Sequence, residues 1–378
     1  MRLLDLCDIK YGYAFDSKRF TDNPIYPPLV RIRDVKRGFS ETFYAGEYSK
    51  EYLLHKGDLL IGMDGEFNIA RWKSVDALLN QRVCKISAKK GTNEEYIRFA
   101  LSKKLKNIED KTSFVTVKHL SARELSTIEF TMPEYEKQRK IADILVSIEN
   151  IIEKKKQELE QLDTFVKSRF VELFGDPIKN PKGWEVVKLS ECLERIDNGK
   201  SFTCDSNARE GVFPAILKLS AATYGDYRPY ENKALLDEKQ FVKSVEVHRG
   251  ELLFTRKNTP DLVGMAAYVF ETPEKLMMPD LIFRLVTNER MTPTFLWQLI
   301  NNREFRPAIQ GISGGSAKSM SNISKERLKN IEVICPPISE QKKLEGVLEQ
   351  VDKSKSKIQK SLEETQLLFD SLMQKYFG

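Results

Sequence analysis

The sequence predicts an α+β protein built twice over: two mixed α/β domains separated by two long helices that pair antiparallel as a coiled coil. Three observations predict it. First, apolar residues at Ile141, Leu145, Ile148, Ile152, Leu159, Leu162, Val166 and Leu173 step by four and three, with Lys155 and Arg169 in the two gaps, which is a coiled-coil seam. Second, the stretch Pro133 to Gly175 returns as Pro336 to Gly378, through Leu344, Leu348, Val351, Ile358, Leu362 and Phe369, at a constant offset of 203 residues. Gln138 then falls on Gln341, Leu145 on Leu348 and Gly175 on Gly378. Third, the parts outside the seams repeat as well. His55-Lys56-Gly57-Asp58-Leu59-Leu60 is answered by His248-Arg249-Gly250-Glu251-Leu252-Leu253 at an offset of 193, and Gln81–Ile86 by Asp280–Leu285.

Taken in order, residues 1–132 form the first domain. Leu29-Val30-Arg31-Ile32-Arg33 and Val83-Cys84-Lys85-Ile86 alternate like half-buried strands, and Tyr52–Ile61 reads as a turn feeding a strand. Asn93 caps a helix to Lys106 whose inner face carries Tyr96, Ile97, Ala100, Leu101 and Leu105. The first rod spans 133–175; about forty residues at roughly 1.5 Å each give a length near ~60 Å. Gly175-Asp176-Pro177 ends it with a C-cap glycine and a following proline. A Pro- and Gly-bearing linker, Ile178–Gly183, opens the second domain at 176–335, in which Pro293–Asn302 replays the earlier helix. Leu120-Ser121 and Leu125 reappear as Ile323-Ser324 and Leu328 before the second rod at 336–378. The second domain begins where the first rod stops and feeds the second rod, so paired rods must run antiparallel. Their polar seam positions are staggered: Lys155 answers Ile358, and Arg169 answers Leu372.

With 41% hydrophobic and 31% charged residues the chain can bury real cores and stay soluble. No segment reads as a signal peptide or a membrane span, so a cytoplasmic location is expected. Five scattered cysteines, without a CxxC pair, suggest neither a zinc site nor a disulfide framework. A net charge of +6 permits a polyanionic partner without requiring one. Catalytic signatures are missing: no Gly-rich phosphate loop, no nucleophile elbow, and three histidines, His55, His119 and His248, without ligand-like spacing.

The loops carry more. After each strand at Leu59-Leu60 and Leu252-Leu253 comes a polar segment, holding Asp64, Glu66, Asn68 and Arg71 in the first half and Arg256, Lys257 and Asn258 in the second. Such side chains read base edges, Arg by a fork to guanine and Asn to adenine, although solvated turns use the same residues. A second pair of loops precedes the rods, with Lys111, Ser113 and Lys118 in one and Ser313, Gly314, Gly315, Ser316 and Lys318 in the other. Small residues with a lysine suit close approach to phosphate, or simply a flexible connector. Arg31, Arg33, Lys36 and Arg37, and likewise Tyr224, Tyr227 and Arg228, are candidates for a basic groove or for the wet side of a sheet.

Leu173-Phe174-Gly175-Asp176-Pro177 with Asn180-Pro181-Lys182-Gly183-Trp184, the rod start Pro336-Pro337 with Glu340-Gln341, and the Gly57-Asp58-Leu59-Leu60 turn together resemble the specificity subunit of type I restriction-modification systems over essentially the whole chain. The first rod start departs from that pattern, with Lys137-Gln138 and the single Pro133. The resemblance implies two target-recognition domains, each reading half of a bipartite site in double-stranded DNA, and helices that space them and dock two modification subunits. It also implies that S-adenosylmethionine is used by those modification subunits and not by this chain, that restriction subunits supply ATP-driven translocation and cleavage, and that this chain is itself non-catalytic. The two other readings are an enzyme that uses the loop acids, and a coiled-coil scaffold without specific DNA binding.

Overall fold

The computed structural model describes residues 1–111, 118–314 and 320–378. It separates into two compact units, Met1–Lys156 with Ser361–Gly378, and Gln157–Lys360. Each unit holds one globular part and part of each long helix, Tyr135–Phe174 and Ile338–Phe377.

In the first unit, strands Cys7–Tyr11, Val83–Ala88, Leu59–Gly62 and Ile69–Arg71 form one antiparallel sheet in that order. Beside it lies a smaller sheet in which Ala77–Leu79 pairs parallel with Leu29–Val30 and antiparallel with Leu53–Leu54. The helix Glu94–Lys111 starts where expected, Asn93 Oδ1 accepting the Tyr96 N–H at 2.9 Å. Its buried face meets Leu59, Ile61, Cys84 and Ile86 of the sheet and Ile141, Ala142 and Leu145 of the first long helix. The end of the second long helix closes the same core, with Phe377 on Tyr96 (ring centroids 5.1 Å apart) and Phe369 on Phe99 (6.0 Å). Farther along, Lys155 Nζ donates to the Ser361 carbonyl at 2.9 Å, the Ser361 hydroxyl at 2.6 Å and Thr365 Oγ1 at 2.8 Å. Ascending positions on one helix thus meet descending positions on the other, which is antiparallel pairing.

One expected strand is corrected here. Only Leu29–Val30 pairs as a strand; Ile32–Arg37 is a short helix ended by Gly38 at φ 79°. The fully buried Asp34 accepts the Arg31 N–H at 2.9 Å, so its carboxylate caps the helix start and favours the turn over continued strand. Arg33, Lys36 and Arg37 therefore project from a helix, not from the wet face of a sheet.

The second unit repeats the plan. Leu193–Asn198, Ile282–Thr287, Leu252–Thr255 and Ala266–Tyr268 form the antiparallel sheet in the same spatial order. Ala215–Leu217 pairs parallel with Leu276–Met277, and a single bridge, Glu246 to Met277, stands where Leu53 pairs with Leu78 in the first unit. The helix Pro293–Asn301 is capped by Thr292, whose hydroxyl accepts the Phe295 N–H at 3.1 Å. Phe295 packs on Phe170 (5.8 Å) and Phe174 (4.8 Å), and these join Leu344, Leu348 and Val351 in one core. Lys355 pairs with Asp163, again antiparallel.

Of the seam residues, Ile141, Leu145, Ile148, Ile152, Val166, Leu344, Leu348 and Val351 are buried, while Leu159, Leu162, Ile358, Leu362 and Phe369 are half-buried. At the end of the first rod the seam moves: Phe170 and Phe174 are buried and Leu173 only half so. A straight helix drifts off a 3.5-residue repeat, and here its partner is a globular core. Gly175, at φ 78°, then stops the helix, and Trp184 Nε1 donates back to the Phe174 carbonyl at 3.0 Å.

Two equivalent glutamines fix the starts of the rods. Gln138 Oε1 accepts the Asn93 N–H at 2.9 Å and its Nε2 donates to the Pro133 carbonyl at 2.8 Å. Gln341, fully buried, accepts the Thr292 N–H at 2.8 Å and donates to the carbonyls of Pro336 (2.7 Å) and Arg290 (2.9 Å). Each amide therefore ties a long helix to the start of the shorter helix it packs against. Among the described residues no helix is long and apolar enough to cross a membrane.

Candidate nucleic-acid interface

The two kinds of loop singled out in the sequence meet in the fold. In the first unit the chain leaves strand Leu59–Gly62 and is held on both sides: Met63 N–H donates to the Arg82 carbonyl at 2.8 Å, and the Met63 carbonyl accepts Leu120 N–H at 2.7 Å. Asp64 bridges His119, and Gly65 N–H donates to the Lys118 carbonyl at 2.9 Å. In the second unit Arg256 N–H donates to the Leu281 carbonyl at 3.0 Å and the Arg256 carbonyl accepts Ile323 N–H at 2.8 Å. Lys257–Asn258 pairs antiparallel with Ser321–Asn322, and Gly314 bridges Asn322. Every one of these pairs except the Gly314 contact is matched across the units by the sequence offsets: Asp64 with Lys257, His119 with Asn322, and Gly65–Lys118 with Asn258–Ser321. The result in each unit is a narrow backbone ribbon joining the segment after the central strand to the segment before the long helix. Ser113, Gly315, Ser316 and Lys318 lie outside the described residues, as does the side chain of Lys111.

The short basic helix is tied to this ribbon, Lys36 Nζ standing 3.4 Å from Glu66 Oε2. Its other cations keep local company: Arg33 lies 3.6 Å from Asp34, and Arg37 lies 3.4 Å from Glu41 with its guanidinium over the Phe39 ring. Arg31, at the start of that helix, is exposed. Lys118 stands 3.4 Å from Glu109. Asn68 donates to the Glu66 carbonyl at 3.2 Å, while its Oδ1 is buried without a partner among the described residues.

Arg71 has a different job. Its guanidinium pairs with Glu95, with Glu94 at 2.9 Å and with the Gly57 carbonyl at 2.6 Å, so its donors hold the sheet to the helix Glu94–Lys111. Burial works against both charges of that pair, yet the paired charges outweigh it: Glu95 stays below the usual carboxylate range and Arg71 above the usual guanidinium value.

In the second unit Tyr224 is exposed and Arg228 stacks on its ring, 4.5 Å from the centroid, while pairing with Asp226 at 2.9 Å. Asn258 Nδ2 donates to Thr223 Oγ1 at 3.1 Å and so ties that loop to the ribbon. Tyr227 points inward instead. Its hydroxyl bonds Thr272 Oγ1 at 2.7 Å and burial pushes it up to about 12. Lys257 is half-buried on the ribbon, and Arg256 lies with its guanidinium over the Phe283 ring at 5.2 Å, its Nε buried without a partner among the described residues. Ser313 is half-buried beside Gly314. Arg327, which the sequence reading did not single out, covers Gly314 so closely that a Cβ there would meet its Nη1 at 2.1 Å.

Arg82 and Asn322 were missed as well. Asn322 sits just before the repeated Ile323-Ser324, so aligning the halves through the pre-rod loops would have found it; Arg82 lies inside the repeated Gln81–Ile86 stretch, where nothing in spacing singles it out. Among the described residues no group of three or more His, Cys, Asp or Glu side chains is placed to hold a metal ion.

The family model for the type I restriction modification DNA specificity domain matches residues 1–162 and 181–365. The chain belongs to that family. Among its relatives in this specificity family, the EcoBI specificity subunit of Escherichia coli is 39% identical over 43% of this chain, and the EcoEI specificity subunit of the same organism is 31% identical over 52%. The matched part spans 34% of each of those two relatives. The MjaVIII specificity subunit of Methanocaldococcus jannaschii matches at 23% identity over 86% of this chain and 79% of its own. In fold, the type I restriction-modification S subunit from M. genitalium superposes with a TM-score of 0.64 at 14% identity, covering all of this chain and 95% of that one.

Proposed function

We propose that this chain is the DNA-reading subunit of a type I restriction-modification complex, each unit recognising one half of a bipartite site in double-stranded DNA. The observation that carries the reading is the repeated ribbon: the same backbone pairing occurs in both units and presents different side chains in each, Asp64 and His119 against Lys257 and Asn322. One scaffold with two chemistries is what two dissimilar half-sites require. Lys36, Arg37 and Lys118 in one unit, and Arg228, Lys257 and the loop around Gly314 in the other, supply cations and small residues for phosphate contacts. Regions 1–132 and 176–335 act as the two recognition domains, and the helical regions 133–175 and 336–378 space them and dock two modification subunits. Those subunits carry S-adenosylmethionine and transfer its methyl group to adenine after the base leaves the stack. Restriction subunits join the complex for cleavage, and the chain itself works without catalysis, in the cytoplasm with its DNA.

Two helices of 40 residues, each near ~60 Å long by helical rise, would limit half-site separation to a few turns of duplex at about 34 Å each. The test is co-expression with the modification subunit and genome-wide mapping of methylated adenine. A split motif with a fixed gap is expected, and lengthening both helices together should widen the gap. A stable complex that marks no adenine would favour a scaffold, and methylation by the isolated chain would establish an enzyme.

A further inference from the structure

We infer that Arg82 is a base-reading residue of the first unit, positioned by Asp64 and His119 to take the N7 edge of a guanine in the major groove. The inference rests on the DNA-reading function proposed above and deepens it. Arg82 follows strand Ala77–Leu79 and lies beside the ribbon, its carbonyl accepting the Met63 N–H. Its backbone sits at φ 70°, one of only three non-glycine positions with positive φ among the described residues. Side chains other than Asn, Asp and Gly rarely adopt that conformation, and strain of this kind concentrates where a side chain is being aimed.

What is aimed is a half-exposed guanidinium held from behind. Arg82 Nε lies 3.5 Å from Asp64 Oδ2, and Nη1 lies 3.1 Å from His119 Nδ1. Asp64 in turn holds the His119 ring through its other carboxylate oxygen. These contacts engage Nε and Nη1, and Nη2 has no partner among the described residues. The side chains are 50% exposed for Arg82, 45% for His119 and 22% for Asp64, so the acid is the sheltered member and the cation faces outward.

A surface ion pair made only for stability would gain little from such an arrangement. An arginine meant for a base edge gains a great deal, because a long flexible side chain otherwise loses its rotamer freedom on binding. Asp64 also repels phosphate, which steers this arginine away from the backbone and toward a donor-and-acceptor edge. Guanine is the base whose major-groove edge offers two acceptors to an arginine. The matching positions of the second unit do not repeat this group: Leu281 stands for Arg82, and the acid–imidazole pair becomes Lys257 and Asn322. The guanine contact is therefore confined to one half-site.

The experiment uses the full chain in complex with its modification subunits, on duplexes carrying the motif found by methylation mapping. Each guanine of both half-sites is replaced in turn by 7-deazaguanine, which removes N7 alone. One position in one half-site is expected to weaken binding by at least ~10-fold, a typical discrimination for one good base contact. In the variant Arg82→Gly, whose backbone suits φ 70°, that same replacement should change binding less than about twofold, while the other half-site behaves as before. Asp64→Asn, which keeps the shape and removes the supporting charge, should give an intermediate loss. The inference is overturned if no guanine shows the effect in the unaltered complex, or if the effect survives in Arg82→Gly. Failure to find any bipartite site in the mapping would instead remove the DNA-reading function on which it rests.

Discussion

Replacing Gln341 by alanine tests how the second long helix is joined to its unit. The side chain is fully buried and makes three hydrogen bonds: it accepts from Thr292 N–H at 2.8 Å and donates to the carbonyls of Arg290 and Pro336 at 2.9 and 2.7 Å. Alanine leaves the buried Thr292 amide without an acceptor, at a cost of about 1–3 kcal/mol, strips the Pro336 carbonyl of its donor, and leaves the Arg290 carbonyl only the weak Cys335 thiol. Adding the void left by the missing amide, the whole loss should be about 3 kcal/mol. For a unit of this size that corresponds to roughly 6–12 °C in melting temperature. Gln341→Met separates the two causes, since it restores the volume and not the bonds; it should recover less than half of the loss. Thermal unfolding of the three proteins, with amide exchange at Thr292, makes the measurement. A loss under about 1 kcal/mol for alanine, or full recovery with methionine, would refute the argument that the bonds fix this junction.

Two further outcomes are expected. Gly199→Ala should destabilise the second unit by at least ~2 kcal/mol in urea unfolding, because the new Cβ would meet the Pro279 carbonyl oxygen at 2.0 Å; its counterpart Gly12 faces Asn80 at the same distance and should behave alike. The Glu95 network gives a pH test. Burial raises the Glu95 carboxyl, but Arg98 and Arg71 more than reverse that and hold it below its ordinary value of 4.5. A depressed acid contributes stability above its unfolded value and loses it as pH falls through the folded one. The first unit should therefore lose melting temperature below pH 4.5, and Glu95→Gln should flatten that slope.

How much was legible follows from which interactions are local. The rods, their stops and the cap at Asn93 depend on residues a turn or two apart, so periodicity, glycine and proline expose them directly. The strand expected at Leu29–Arg33 failed because alternation over five residues cannot show that Asp34 will be buried as a cap. The candidate site divides along the same line. The loops around Asp64 and Lys257 were found because they follow strands that repeat. Tyr227 and Arg71 look like surface readers in sequence and turn inward to partners 45 and 24 residues away, Thr272 and Glu95. Arg82 went unnoticed because a left-handed backbone at an arginine leaves no trace in composition or spacing. The close approaches at Gly12 and Gly199 are hidden for the same reason, being contacts with backbone from another segment.

The staggered offsets between the units carry a consequence for redesign. Paired backbone positions are displaced by 187 residues from Asp8 to Val30, by 193 from Leu53 to Gly65, by 197 from Ile69 to Trp72, by 199 from Ala77 to Asn93 and by 203 from Lys118 onward. Length has therefore changed in four windows, 31–52, 66–68, 73–76 and 94–117, of which the second and the last adjoin the ribbon, besides a one-residue shift at Leu193/Arg195. Strand pairing, helix docking and the glutamine junctions keep their registers on either side of those windows. A graft that exchanges these windows and leaves the joints intact transplants a surface without renegotiating the framework. The molecule in effect marks its own cutting points for an interchangeable cassette.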